Sequence, residues 1–220
     1  MIRQPLIVAA AAAILLGMVR PAAAQDAPPE VEHIGRFVAD VRGTFPKFKQ
    51  DPLIATGIGV TAANLPIRAY GFVVGAHFYP ARLGVVTFGV GGELVMARRS
   101  RTLAAASATA EPGPTVNSRF KALTPQVSFN FGGRQGWSYI SGGIGTSKFT
   151  AERADTPLPA QESGSKTINY GGGARWFSKE HIAFSVDLRF YAINPQFATT
   201  TRPAAPRMTL WAFSVGAAFK

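Results

Sequence analysis

The chain has 220 residues, nearly half of them hydrophobic, and carries 23 Lys or Arg against 12 Asp or Glu. It holds no cysteine, which excludes disulfides and thiolate metal centres, and 16 % charged residues is little for a surface that meets water on every side. Abundant Gly and Phe, 23 and 16 residues, favour strands joined by turns, so we expect an all-β chain.

The first residues read as an address. A basic start (MIRQP), the apolar run LIVAAAAAILLGMV and Ala22-Ala23-Ala24 ahead of Gln25 supply the parts of an export signal cut after Ala24. An uncleaved anchor fits less well, because Arg20 and Pro21 interrupt the segment where a stop-transfer flank belongs. Loss of the signal removes Arg3 and Arg20 and leaves the exported chain basic.

No later stretch approaches ~20 consecutive apolar residues, so no spanning helix is expected. What recurs is alternation with period two. Eight such segments follow one another at 36–45, 68–79, 83–98, 119–131, 137–150, 166–177, 182–193 and 207–219. Their lengths suit a tilted strand crossing a hydrocarbon layer, which takes ~9 to 11 residues. Connections 80–82, 132–136 and 178–181 are short, whereas 46–67, 99–118, 151–165 and 194–206 are long and rich in Ala, Pro, Ser and Thr. Strict alternation of short and long connections predicts an eight-stranded antiparallel up-and-down transmembrane β-barrel with short periplasmic turns, long external loops and both ends in the periplasm. The division expected is 1–24 signal peptide, 25–35 short periplasmic segment and 36–220 outer-membrane barrel.

The apolar residues keep to one face. Phe37, Ala39, Val41 and Phe45 alternate with Arg36, Asp40, Arg42 and Thr44; Val86, Phe88, Val90, Leu94 and Met96 with Thr87, Gly89, Gly91 and Glu93; Leu123, Val127, Phe129 and Phe131 with Thr124, Gln126, Ser128 and Asn130. In IAFSVDLRFYAI, Ile182, Phe184, Val186, Leu188 and Phe190 oppose Ser185, Asp187, Arg189 and Tyr191. Turned inward, the apolar faces would make a soluble, lipocalin-like cup. The low charge argues for lipid outside, as do aromatic residues at the strand ends: Phe78, Phe131, Trp137, Trp176 and Phe219 at the short-turn end, and Phe45, Tyr70, Phe120 and Tyr170 toward the long loops. Pro125 lies inside the fourth segment and cannot donate to a ladder, so a bulge is expected there, or a site where the neighbouring carbonyl points into the lumen.

The export signal, the eight-strand rhythm, YGGGARWFSKEHIAFSVDLRFYAI and the ending WAFSVGAAFK resemble the small outer-membrane β-barrel family that includes the OmpA membrane domain and OmpX-like proteins. The resemblance implies that the ending acts as the signal read by the barrel-assembly machinery, with Trp211, Phe213, Val215 and Phe219 as its outward residues. Lys220 stands where the family has a terminal aromatic.

Inward charge marks the candidate interior. Asp40, Arg42, Glu93, Asp187 and Arg189 should share one depth, with Gln126 and Tyr191 near them and Arg175 lower, forming a polar lumen network. Eight strands leave room mainly for side chains, so a packed, paired core is expected before a narrow porin-like channel. Inward glycines, among them Gly75, Gly89, Gly91, Gly171 and Gly173, would clear space for long side chains. A lipid-A-modifying enzyme on this scaffold needs a serine, a histidine base and an orienting carboxylate near the outer leaflet. His33, His77 and His181 all fall toward the short-turn end, so no catalytic residue, cofactor or metal site is assigned. The glycine runs FGVGGEL and SGGIGTSK open no helix and are not phosphate loops.

The excess of basic residues collects on one hairpin. Arg98, Arg99, Arg101, Arg119 and Lys121, joined by Lys148 and Lys166, would place cations where lipopolysaccharide phosphates lie. The expected function is a structural or interaction barrel of the outer membrane, whose partners are outer-membrane lipids including lipopolysaccharide, the barrel-assembly machinery and a loop ligand the sequence does not name. Nucleic acid is not among them.

Overall fold

The structure is a computed structural model that describes residues 34–105, 107, 111–157, 164–200 and 204–220; the export signal and nearly all of segment 25–35 lie outside the described residues. Eight strands, β1 (Phe37–Lys47), β2 (Tyr70–Leu83), β3 (Val86–Thr102), β4 (Thr115–Gly133), β5 (Gly136–Arg153), β6 (Ser165–Phe177), β7 (Ile182–Ile193) and β8 (Met208–Phe219), pair in sequence order, each antiparallel to the next. β8 returns to β1, with Phe45 opposite Phe213, and closes the barrel. Closure leaves no sheet edge within the wall, the condition for strands to cross hydrocarbon. Among the described residues no helix is long and apolar enough to cross a membrane.

The strands differ from the sequence reading mainly where polar pairs extend them. β3, β4 and β5 run past the expected ends at 98, 119 and 150, because pairing there no longer depends on apolar alternation. Ser100 Oγ donates to Asn117 Oδ1 at 2.7 Å, and the hydroxyls of Thr102 and Thr115 meet at 2.9 Å, so the hairpin continues as a polar ladder. β2 likewise continues through Pro80 to Leu83, leaving only Gly84 and Val85 for the turn, with Gly84 at φ +57°.

Of the three prolines inside strands, Pro46, Pro80 and Pro125, the bulge sits at Pro80, between Phe78 and Ala81, and the bulge offered from sequence at Pro125 is not there. At Pro125 the register with β5 is the same on both sides: pairing stops at Leu123 opposite Thr146 and resumes at Val127 opposite Gly142. Gly143 and Gly145 allow this. A Cβ on Gly143 would collide with Pro125 O, and one on Gly145 with Leu123 O, so the two backbones pass too closely for a side chain.

The outer wall is apolar. Phe37, Val41 and Phe45 on β1, Phe72, Val74 and Phe78 on β2, Leu94, Leu123, Val127, Ile140, Ile144, Leu188 and Phe213 all stand exposed on it, a band that water would not tolerate and a bilayer would. Its ends carry exposed Tyr70, Tyr170 and Trp211 on one side and Phe131, Trp176 and Phe219 on the other. Two residues placed in those girdles from sequence, Phe120 and Trp137, are instead buried inside, 0 % and 3 % exposed. Strand parity accounts for both. Phe120 shares its face with Thr124 and Gln126, and Trp137 shares its face with Tyr139.

Inside, the lumen is layered. An aromatic and aliphatic layer, with Val38, Tyr79, Trp137 and Ala183, fills the short-turn end. A second apolar layer, with Val95, Val116, Phe120, Tyr191 and Leu210, fills the long-loop end. The loop after β1 folds down onto that upper layer. Phe48, Ile54, Ala55 and Leu65 are buried in it, and a short helix, α1 (Pro52–Gly57), is started by the Asp51 carboxylate, which accepts from Leu53 N at 3.0 Å. Arg101 Nη1 and Gln50 Nε2 tie the loop in place through Ala63 O, at 2.6 and 3.1 Å.

Candidate functional site

Between the apolar layers lies a band of charge. Asp40 and Arg42 come from β1, Glu93 from β3, Arg175 from β6, and Asp187 and Arg189 from β7. Each is at most 2 % exposed, so water-sized access to this level is closed. The three arginines and three acids cancel in net charge.

The ion pairs form a closed circuit. Arg42 pairs with Glu93, and reaches Asp187 Oδ2 at 3.3 Å; Arg189 reaches Glu93 Oε2 at 3.1 Å and Asp187 Oδ2 at 2.8 Å. Asp40 extends the circuit, taking Arg42 Nε at 2.8 Å and Arg175 Nη2 at 2.7 Å. Every acid is therefore shared by two arginines. Such sharing offsets the desolvation that makes a lone buried charge so costly.

Neutral groups complete the circuit. Arg189 donates from Nη1 to Gln126 Oε1 at 2.6 Å and from Nη2 to Ser141 Oγ at 2.9 Å, and Tyr139 Oη donates to Asp187 Oδ2 at 2.8 Å. The Arg175 guanidinium lies 4.4 Å from the Tyr139 ring centre. Tyr191, placed near the network from sequence, lies within electrostatic reach of Glu93 and Arg189 and packs its ring edge-on against Phe120 at 5.2 Å in the layer above. Sequence reasoning missed Tyr139, Ser141 and Tyr79, whose hydroxyl faces Arg175 Nη1 at 3.5 Å.

Glycines make the band possible. Gly75 lies across from Asp40 on one side and Glu93 on the other, Gly171 lies across from Arg189, Gly173 from Asp187, and Gly216 from Arg42. A Cβ at Gly173 would fall 2.7 Å from Tyr139 Oη, one at Gly91 2.6 Å from His77 Cδ2, and one at Gly89 2.8 Å from Tyr79 Cε1. Space for the large inward side chains thus comes from their cross-strand neighbours.

Among the described residues the two histidines lie in separate places. His77 is buried in the lower lumen, His181 lies beside the β6–β7 turn with Nδ1 3.2 Å from Lys220 O, and His33 lies outside the described residues. Among the described residues no cluster of His, Cys, Asp or Glu could hold a metal ion.

The basic rim divides in two. Arg98, Arg119 and Lys121 stand on the outer wall, with Arg98 opposite Arg119, and Lys121 between Met96 and Lys148. Arg99 and Arg101 share the other face of β3, that of Val95 and Ala97, and Arg101 is spent on the loop that covers the mouth. The five cations grouped from sequence therefore do not form one cluster, because neighbours along a strand point to opposite faces. Arg119 also meets Glu152 at 3.3 Å. An open groove of ≈ 610 Å³ runs on the outer wall beside Tyr70, Phe72, Met96, Arg98, Arg119 and Lys121.

Along its length, from the long-loop end to the short-turn end, β8 brings Trp211, Phe213, Val215 and Phe219 to its outer face. Lys220 follows and fastens two turns: its Nζ donates to Arg134 O at 2.7 Å and lies 3.8 Å from the Phe177 ring centre.

No family model matches the chain, and no curated protein matches it. Solved structures do resemble it. Ail, the attachment invasion locus protein of Yersinia pestis, is 13 % identical, with 84 % of this chain and 98 % of that one aligned at a TM-score of 0.49. Neisserial surface protein A is 12 % identical over 84 % and 96 %, also at 0.49. The outer membrane protein OprG from Pseudomonas aeruginosa is 11 % identical over 86 % and 97 %, at 0.47. The closed eight-stranded up-and-down β-barrel rests on this chain's own strand pairing.

Proposed function

We propose that the chain is a structural or interaction barrel of the outer membrane, exported, non-catalytic and non-conducting, with its long loops outward. The observation that carries this reading is the pairing of an apolar outer wall with a lumen closed by a charge-neutral ion-pair circuit between two apolar layers. A pore needs a continuous polar path, and here the charges are consumed by one another. In this reading the loops meet an external ligand, the outer basic residues meet lipopolysaccharide phosphates, and the barrel-assembly machinery engages β8 through Trp211, Phe213, Val215 and Phe219.

Two measurements on the full chain test it. The protein should fractionate with outer membranes and migrate differently on gels before and after boiling; recovery from the soluble periplasm without detergent would refute the location. Added to a planar bilayer after refolding, it should leave the baseline current unchanged. Steady unitary steps would replace the interaction barrel by a narrow channel.

A further inference from the structure

Basic residues of the outer wall crowd together on the side of β3 to β6. Arg98 and Arg119 face each other across a strand pair, and Lys121 and Lys148 do the same one row below. Lys166 of β6 follows, opposite Thr146. Toward the same end, β7, β8 and β1 present Phe190, Trp211 and Phe45, with Lys47 over the Trp211 ring and opposite exposed Arg68.

The groove adds shape to the charge. Its floor is Met96, Tyr70 and Phe72 stand on the β2 side, and Arg98, Arg119 and Lys121 border it on the other. Directly below, Val74, Leu94 and Leu123 continue the apolar wall. A thioether floor beside aromatic walls suits an alkyl chain, and the guanidinium and ammonium groups above it suit phosphate.

We propose that this wall carries a site for one lipid molecule: an acyl chain lies over Met96 between Phe72 and the stem of Lys121, while Arg98, Arg119 and Lys121 hold a phosphate of the same molecule. The site rests on the reading of this face as membrane-embedded with the long loops outward. The occupant is a phosphorylated, acylated disaccharide of the lipopolysaccharide type. Three inter-strand steps separate Arg98 on β3 from Lys166 on β6, roughly 14 Å at the usual strand spacing. A single phosphodiester cannot reach both ends of that row. A disaccharide with a phosphate at each end can, the second phosphate falling near Lys148 and Lys166.

The test uses the refolded full chain in phosphatidylcholine nanodiscs doped with a bis-phosphorylated lipid A, and counts by mass spectrometry the lipid that stays with the barrel after detergent extraction. One copy per barrel is expected. The triple variant Arg98→Gln, Arg119→Gln, Lys121→Gln should retain at least tenfold less, and the parent should lose the lipid as salt rises. Met96→Trp, which fills the groove and leaves every cation in place, should lose it as well, whereas Lys47→Gln on β1, outside the groove lining, should keep it. The parent should retain neither phosphatidylglycerol nor the dephosphorylated lipid A to a comparable degree. Equal retention by the parent and the triple variant at low salt, or by the parent for the phosphorylated and dephosphorylated lipid, would overturn the site. Retention unaffected by Met96→Trp would overturn the groove as the seat of the chain. Heat-modified gel migration, read on every sample, reports barrel folding separately, so loss of the barrel itself is distinguished from loss of the lipid.

Discussion

The middle of the lumen and its long-loop mouth are both closed, by opposite means. In the middle, six ionised side chains from β1, β3, β6 and β7 share one another's charge. At the mouth, Phe48, Ile54 and Leu65 of the first long loop are buried against Val116, Phe120 and Leu210. The first closure depends on every partner being present, because one deletion strands a charge away from water. The second is a sum of apolar contacts on a segment outside the wall, and it can open without disturbing the strands. The two should therefore fail differently, one through the whole barrel and one locally.

The largest effect is expected at Arg42. Replacing it by Leu leaves Asp40, Glu93 and Asp187 each with one arginine fewer and should cost ~3 to 5 kcal/mol in reversible unfolding from lipid. A second change, Glu93→Gln, should recover part of that loss; if the pair of changes is simply additive, the circuit is not an energetic unit. Next comes the outer face of β7, whose inner face carries Asp187 and Arg189. Leu188→Arg puts a cation into the apolar band and should cost ~2 to 4 kcal/mol, with poorer insertion. A harmless Leu188→Arg would mean that this face meets water. The smallest effect belongs to the cap. Leu65→Ala should cost about 2 kcal/mol, and the loss should show as faster amide exchange across 48–69 while the exchange of β3 and β7 stays as in the parent. If the strands exchange faster as well, the cap is part of the barrel's global stability and the contrast drawn here disappears.

The same contrast separates what the sequence makes legible from what it does not. Period-two alternation is local, so β7 at 182–193, the inward placement of Asp187 and Arg189, and the count of eight strands can be read without a structure. Charges at inward positions announce themselves for the same reason. The residues that complete the circuit do not: Tyr139 and Ser141 look like ordinary strand residues, and only the closure of the barrel brings them to Asp187 and Arg189. Parity could have placed Phe120 and Trp137 inside, and could have separated Arg99 and Arg101 from Arg98, but the expectation of aromatic girdles and of one basic hairpin outweighed it. The cap left a fainter trace. An Asp-Pro start followed by Leu-Ile-Ala at 51–55 is a helix signal with an apolar face, set in a loop whose fold depends on a mouth that the sequence does not draw.

The central claim, that the strands present a water-excluded lumen on one face and lipid on the other, can be tested by thiol labelling, since the chain has no cysteine of its own. Ser214 is buried inside the barrel, where its hydroxyl donates to Thr44 Oγ1 at 2.9 Å, and Phe213 beside it stands on the outer wall. Ser214→Cys and Phe213→Cys, each refolded into bilayers, would be exposed to a charged, water-soluble thiol reagent and to a nitroxide quencher carried on lipid chains, with a fluorophore attached at Phe213→Cys for the second. The account predicts no aqueous labelling of Ser214→Cys in the folded barrel, full labelling after unfolding, and strong quenching at Phe213→Cys. Rapid aqueous labelling of Ser214→Cys in the folded barrel, or no quenching at Phe213→Cys, would contradict it.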